Sequence, residues 1–355
     1  MSLPPPWIAL AVVAGFVATP LAVTPPGPAD GGDPPRAFLR AGMGLTADEI
    51  ARVDRGEVVT RGLLAPEPED VGGLAVVRVA VARGVFLERF RLIETFKRAS
   101  AVLKVGRFGT PPRLDDLAGL EIDRVDLDAI ADCRPGDCHI ALTAADIERR
   151  RRELDPAHPS FRVRAARWYR ERLVAIVSDY LARGNAALPV YASRRRTIPV
   201  AEHFATLAGQ SHFLREHAPD LRRYLFEGPE NRPPGVEEFV YWSKEKVGPK
   251  PVISLTHVVM YHDRVRPDHT VIASKQLYAS HYFLASLGLT VVIDDPGADG
   301  RPGLLMAYMN HSRSDALTGF LGPLRRAIVR SRLRAGAQEN LLAMRATLEA
   351  TPPRE

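Results

Sequence analysis

Apolar and polar positions follow one another along this chain in distinct rhythms, and each rhythm predicts a different element. Trp7–Val23 (WIALAVVAGFVATPLAV) is continuous rather than periodic. It has roughly the length of a secretory apolar core, so residues 1–23 are expected to form a signal peptide or an N-terminal anchor. The segment Thr24–Pro35 is rich in Pro and Gly and cannot be helix interior, which makes residues 24–44 an expected linker. Order is expected from Leu45, where Thr46 and Glu49 form a capping box and Leu45 and Ile50 stand at staple spacing. Gly56 ends that helix.

Val58–Leu64 and Leu74–Val81 read as strands, and Gly84–Ala99 as an amphipathic helix through Phe86, Phe90, Ile93 and Phe96. Two more strands are expected at Ala101–Phe108 and His139–Leu142, and Thr143 can cap a helix through to Leu154. From Phe161 to Trp242 the period is mainly helical, with Trp168, Tyr169, Leu173, Val177 and Tyr180 on one stripe and a second helical region at Val200–Leu225. The last third changes to period two, with strands expected at Pro251–Tyr261, Thr270–Ser280, Tyr282–Ile293 and Leu304–Asn310. The close is a helix from about Pro323 to Ala350 whose seam is Val329, Leu333, Ala337, Leu341, Met344 and Leu348.

These elements predict an α+β fold: a curved antiparallel sheet and a long C-terminal helix, interrupted by a helical insertion at about 144–246 within a domain spanning 45–350, with 351–355 as a tail. Composition narrows the function classes. With 46% hydrophobic residues the chain is not intrinsically disordered, and no apolar run of spanning length recurs after the N-terminus. The formal charge of +6 is spread over everything beyond residue 29, without a known nucleic-acid module, so no nucleic-acid partner is expected. The run Arg149–Arg152 reads as a solvated helix face balanced by Glu148 and Glu153. A second run, Arg325–Arg334, sits at the N-terminal end of the last helix, where the dipole disfavours cations. It suits an acidic lipid surface, and with the N-terminal segment it points to the membrane as a partner.

Two stretches carry a family resemblance. Leu45–Phe96, with LTADEIARVDRGEVV and GVFLERFRLIETF, and Thr290–Leu348, with SDALTGFLGPLRRAIVRSRLRAGAQENLLAMRATLE, resemble the opening and the gripping helix of the START-like (SRPBCC, polyketide-cyclase-like) helix-grip superfamily. The resemblance implies a sheet and helix that enclose a cavity for a lipid, sterol or polyketide-like molecule. On that basis Lys275, Tyr278, His281 and Tyr282, with Asn310 and Arg313 at the last strand–helix junction, are the expected ligand-binding residues. The implied function is non-catalytic binding of a hydrophobic small molecule or lipid by an exported protein, periplasmic or anchored facing the periplasm. A cyclase-like or hydrolase-like enzyme using the same cavity is the alternative.

The only cysteines, Cys133 and Cys138, enclose a Pro135-Gly136 turn and are followed by His139. In an exported protein a disulfide pinching that turn is expected. The string also resembles an expanded form of the c-type haem attachment motif, with His139 as iron ligand, which would imply an electron-transfer protein. His262, Asp263, Asp268 and His269 cluster at one predicted hairpin turn, where polar residues are expected without any metal. No G-x-S-x-G elbow, phosphate loop or dinucleotide glycine pattern occurs.

Overall fold

The computed structural model describes residues 34–192, 197–297, 300–320 and 322–350. The expected leader at 1–23, residues 24–33 of the expected linker and the tail lie outside the described residues. Order begins earlier than expected, with helix α1 (Pro34–Met43) inside the span read as linker. Pro34 and Pro35 fit a helix start, where their missing N–H groups would be unpaired anyway. Leu39 is buried, and the Phe38 ring centre lies 4.8 Å from that of His269, so tertiary contact holds this segment.

Helix α2 (Ala47–Asp54) opens on the capping box: the Glu49 N–H donates to Thr46 Oγ1 at 3.2 Å, and the Thr46 N–H donates to the Glu49 carboxylate at 2.9 Å. Then come β1 (Val59–Gly62), β2 (Asp70–Val79), α3 (Arg83–Arg91), α4 (Ile93–Phe96) and β3 (Val102–Arg107). A helical region follows, with α5 (Arg124–Asp132), α6 (Ala144–Glu153), α7 (Phe161–Arg183), the two-residue strands β4 (Val190–Tyr191) and β5 (Ile198–Pro199), α8 (Val200–Gln210), α9 (His212–His217) and α10 (Pro219–Glu227). The chain closes with β6 (Glu237–Glu245), β7 (Val252–His262), β8 (His269–Ala279), β9 (Ala285–Asp294), β10 (Leu304–Arg313) and α11 (Gly322–Ala350).

Eight strands form one antiparallel sheet in the order β1-β2-β10-β9-β8-β7-β6-β3. The last strand therefore pairs with an early one, Ala307 opposite Val76, and β3–β6 pairing brings the chain back across the helical region. The helical insertion expected as far as 246 is corrected at its end, because Glu237–Glu245 is a sheet strand. Val240 and Trp242 face one apolar cluster while Phe239 and Tyr241 face another, so β6 is apolar on both sides and loses the alternation that marks a strand. Trp242 lies across Gly106 on the neighbouring strand, where a Cβ would stand 2.6 Å from its ring. The strand expected at His139–Leu142 is extended loop instead, tied by the Ala141 N–H to the Ser280 carbonyl at 3.1 Å.

One face of the sheet is covered by α1, α2 and α7–α10, through Phe204, Leu207, Val259, Leu289 and Val291 at one end and Trp168, Tyr169, Leu173, Leu255 and Leu277 at the other. The second face carries α3, α4 and α11. There Leu341 and Leu348 of α11 pack with Ala75, Val77, Val79 and Phe86.

Candidate functional site

The second face is not covered along its whole length. Helix α11 packs on β1 and β2 rather than across the middle of the sheet. Beyond Val292, Met306 and Ile272 the central strands turn polar: Ser274 and Gln276 on β8, Ser286 and Thr290 on β9, and Tyr308 and Asn310 on β10 are all half-buried. Central strands with one face sealed by helices would carry apolar residues here if the other face were also sealed. This part of the face is only half-covered.

Its polar groups are organised. The Ser312 hydroxyl donates to Asn310 Oδ1 at 2.9 Å and lies 2.8 Å from Ser286 Oγ. Tyr308 is hydrogen-bonded to Asn310 and lies over Gly288, where a Cβ would stand 3.6 Å from its hydroxyl. Burial raises the Tyr308 phenol above its ordinary value, and the nearby Lys97 offsets part of that rise. Lys97, at the end of α4, places its ammonium 3.1 Å from Glu245 and 5.8 Å from the Tyr241 ring centre, with 27% of its side-chain surface still open. Burial works against its charge, but Tyr241 and Glu245 outweigh that effect, and the ammonium is held above the usual lysine range. Beside it runs an aromatic wall in which Phe90 lies 5.2 Å from Phe96 and 6.4 Å from Phe239. The arrangement offers an ammonium paired with Glu245, several neutral donors and acceptors, and an aromatic flank of which Phe96 is half-buried.

The expected ligand-binding residues do not share one cavity. Asn310 is on this open face. Lys275 is on the other face, fully buried, with its Nζ bonded to Asn185 Oδ1 and 4.2 Å from the Phe204 ring centre. Desolvation holds its amine well below the ordinary lysine value. Tyr278 also points to the covered face, because a bulge at Leu277 shifts the register and changes which way the next side chain faces. Its hydroxyl lies 2.5 Å from that of Tyr169 on α7 and donates to the Ala141 carbonyl.

His281 and Tyr282 sit where β8 turns into β9. His281 Nε2 lies 2.8 Å from the buried Asp126 carboxylate of α5, and Tyr282 has a left-handed backbone with φ 64°. With Tyr191, His139 and Cys138 they line a depression of about 30 Å³, room for little more than a water or two. The Tyr191 hydroxyl is buried without a hydrogen-bond partner. Arg313 is an ion-pair residue, 3.1 Å from Glu69 and 3.3 Å from Asp70, rather than a free headgroup contact.

A further polar chain was not visible in the sequence. His257 on β7 donates from Nε2 to Glu238 at 3.1 Å and accepts at Nδ1 from the Tyr180 hydroxyl at 3.0 Å, while Tyr224 also donates to Glu238. Burial would raise the Glu238 carboxyl, but these bonds and the charge of Arg232 hold it down to about 2. Burial lowers His257 below its ordinary value, so the imidazole is neutral in the fold. These residues are scattered from 180 to 257, and only β7 next to β6 and under α7 brings them together.

Cys133 and Cys138 are joined in a disulfide with a Cα–Cα distance of 4.4 Å. Both sulfurs are thereby committed to each other and not to thioether bonds with a haem, and His139 is an exposed loop residue. At the 262–269 hairpin Asp263 caps its own turn through the Val265 N–H at 2.9 Å. Among the described residues no group of three or more His, Cys, Asp or Glu is placed to hold a metal ion. Among them, too, no helix is long and apolar enough to cross a membrane. Compared with known proteins, the chain matches no family model, and no curated protein matches it either.

Proposed function

We propose that this is an exported, non-catalytic binding protein that takes an amphiphilic small molecule or lipid on the open half of the sheet face between α4 and α11. One observation carries the reading: a half-buried polar floor on central strands, with Tyr308, Asn310 and Lys97, set beside the aromatic wall of Phe90, Phe96 and Phe239. A ligand's apolar body gains by covering Phe96, the half-buried edge of the wall, while its polar head meets Tyr308 and the Asn310 amide beside the Lys97–Glu245 pair. The order of elements supports the START-like resemblance, because β10 closes on β2 and is followed directly by the long helix. The bridged cysteines support an oxidising compartment. The histidine–carboxylate pairs His257–Glu238 and His281–Asp126, whose histidines are buried, lie away from this face, which favours binding over acid–base catalysis.

The test is mass spectrometry of organic extracts from the purified protein, together with displacement of the fluorescent fatty acid cis-parinaric acid. A co-purifying amphiphile, and parinarate binding that weakens in Y308A and N310L, is the expected result. Protein that carries nothing and does not bind parinarate overturns the reading.

A further inference from the structure

The N-terminal half of the last helix is held to the body by few side chains, chiefly Arg326 through the Pro68 and Leu317 carbonyls. From Pro323 to Ala335 no side chain of α11 is buried, and only Arg326 and Val329 are even half-covered. An isolated helix of that length is marginal in water, so a segment exposed almost all round needs a second partner to be a settled helix. Its composition specifies what kind. Besides the seam through Ala337, Leu341, Met344 and Leu348 that grips the sheet, a second apolar stripe runs through Leu324, Ile328, Ala335 and Leu342, about 150° round the helix. Leu324 is 59% exposed and Ile328 44%, and just before the helix Phe320 is 99% exposed.

Arg325, Arg332 and Arg334 flank this stripe, Arg326 and Arg330 stand on the side of the inner seam, and no acidic residue occurs between Asp315 and Glu339. Among the described residues the contacts of these arginines are to carbonyls: Arg325 to Ala316, Arg326 to Leu317 and Pro68, and Arg334 to Arg330. Among the described residues none is paired with a carboxylate, and Arg325 and Arg326 stand in the first turn, where the dipole disfavours cations. An anionic surface relieves both costs at once. A second copy of the same helix running parallel would set guanidinium against guanidinium.

We propose that Phe320 and the N-terminal half of α11 dock on an anionic lipid surface. Arg325, Arg332 and Arg334 meet headgroup phosphates, and Phe320, Leu324 and Ile328 enter the boundary with the acyl chains. The charge-free apolar run Trp7–Val23 lies in the same chain and would keep the domain near a bilayer. The inference is independent of the amphiphile reading, because it concerns the outer side of α11 and not the sheet face.

The experiment is co-sedimentation of the full-length protein with vesicles of phosphatidylcholine alone and of phosphatidylcholine mixed with phosphatidylglycerol, run over a salt series. The full-length protein is expected to prefer the anionic vesicles in a salt-sensitive way. An R325Q/R332Q/R334Q variant should lose at least about tenfold of that preference, since each cation near such a surface contributes a several-fold factor. An F320S/L324S/I328S variant should bind both vesicle types more weakly. Because these side chains are exposed, the thermal midpoint should stay where it is. Anionic binding unchanged in the arginine variant overturns the proposal. So does a fall in midpoint, or a change in oligomeric size with vesicle binding intact, which would assign the stripe to a second copy. The sheet-face reading is judged separately by parinarate displacement, which these variants should leave alone.

Discussion

The amine of Lys275 sits 4.2 Å from the ring centre of Phe204 and 4.8 Å from that of Tyr180, in the middle of the covered sheet face. Asn185 and the Leu225 carbonyl accept from it, and no carboxylate among the described residues reaches it. Burial without a counter-charge makes the neutral amine the favoured form, at a cost to stability whenever the unfolded chain can hold the proton.

Replacing Lys275 by Met should therefore stabilise the protein at neutral pH, by about 1–3 kcal/mol. The folded value lies below the unfolded value of 10.5, so the unfolded chain binds the extra proton and stability rises with pH up to about that point. Urea denaturation of both proteins across that range should show the rise in the native protein and its loss in K275M. A less stable K275M would mean that the amine's bonds to Asn185 outweigh its desolvation.

The Glu238–His257 pair predicts the opposite end of the pH profile. Glu238 is depressed from 4.5 to about 2, so its contribution is complete above the unfolded value and is lost as pH falls through the folded one. His257 is depressed from 6.5, so the unfolded chain begins to outbid the fold for a proton as pH drops below that value. Thermal midpoints should fall in two stages, below 6.5 and again between 4.5 and 2. E238Q should remove the lower stage, on the order of 1–3 kcal/mol. A single acid step that E238Q leaves intact would assign acid lability elsewhere.

Gly106 and Trp242 form a cross-strand pair in which the glycine is needed for closeness alone. G106A should cost about 2 kcal/mol or more, because the indole is also pinned by its N–H bond to the Asp116 carbonyl at 2.8 Å and cannot slide away. Chemical denaturation is the measurement, and a near-neutral result would show that β3 moves freely at the sheet edge.

The disulfide closes a short loop, since its cysteines are five positions apart. Double replacement by serine should lower stability by roughly 2 kcal/mol and leave the fold intact, and thiol titration of the denatured native protein should find no free thiol. Collapse of the whole domain on reduction would show that the loop does more than pinch a turn, for example by holding Arg150, whose Nη2 donates to the Cys133 carbonyl at 2.6 Å.

Much of this architecture was legible along the chain because it rests on local rules. The Thr46 capping box, the Thr143 cap, the apolar strands β7, β8 and β10, and the inner seam of α11 each follow from patterns within a few residues. The cysteine-pinched turn is equally local. Strand β6 was hidden because its apolar run, Phe239–Trp242, is short and follows a long helical region, and α1 because a Pro-Pro start reads as linker until Phe38 finds His269 and Phe213.

What the sequence determined by itself was most of the elements and the alternation of side chains along β8 as far as its bulge. Only the tertiary structure decided which face of β8 meets helices and which meets water. That choice places Ser274 on the open face and seals Lys275 beneath α7, α8 and α10, although the two are neighbours in the chain. Alternation fixes that adjacent side chains point to opposite faces, but which face is covered depends on where distant helices pack. The same reason separates the two halves of α11: its heptad-like spacing is continuous, and only the position of the sheet beneath it leaves one half gripped and the other exposed.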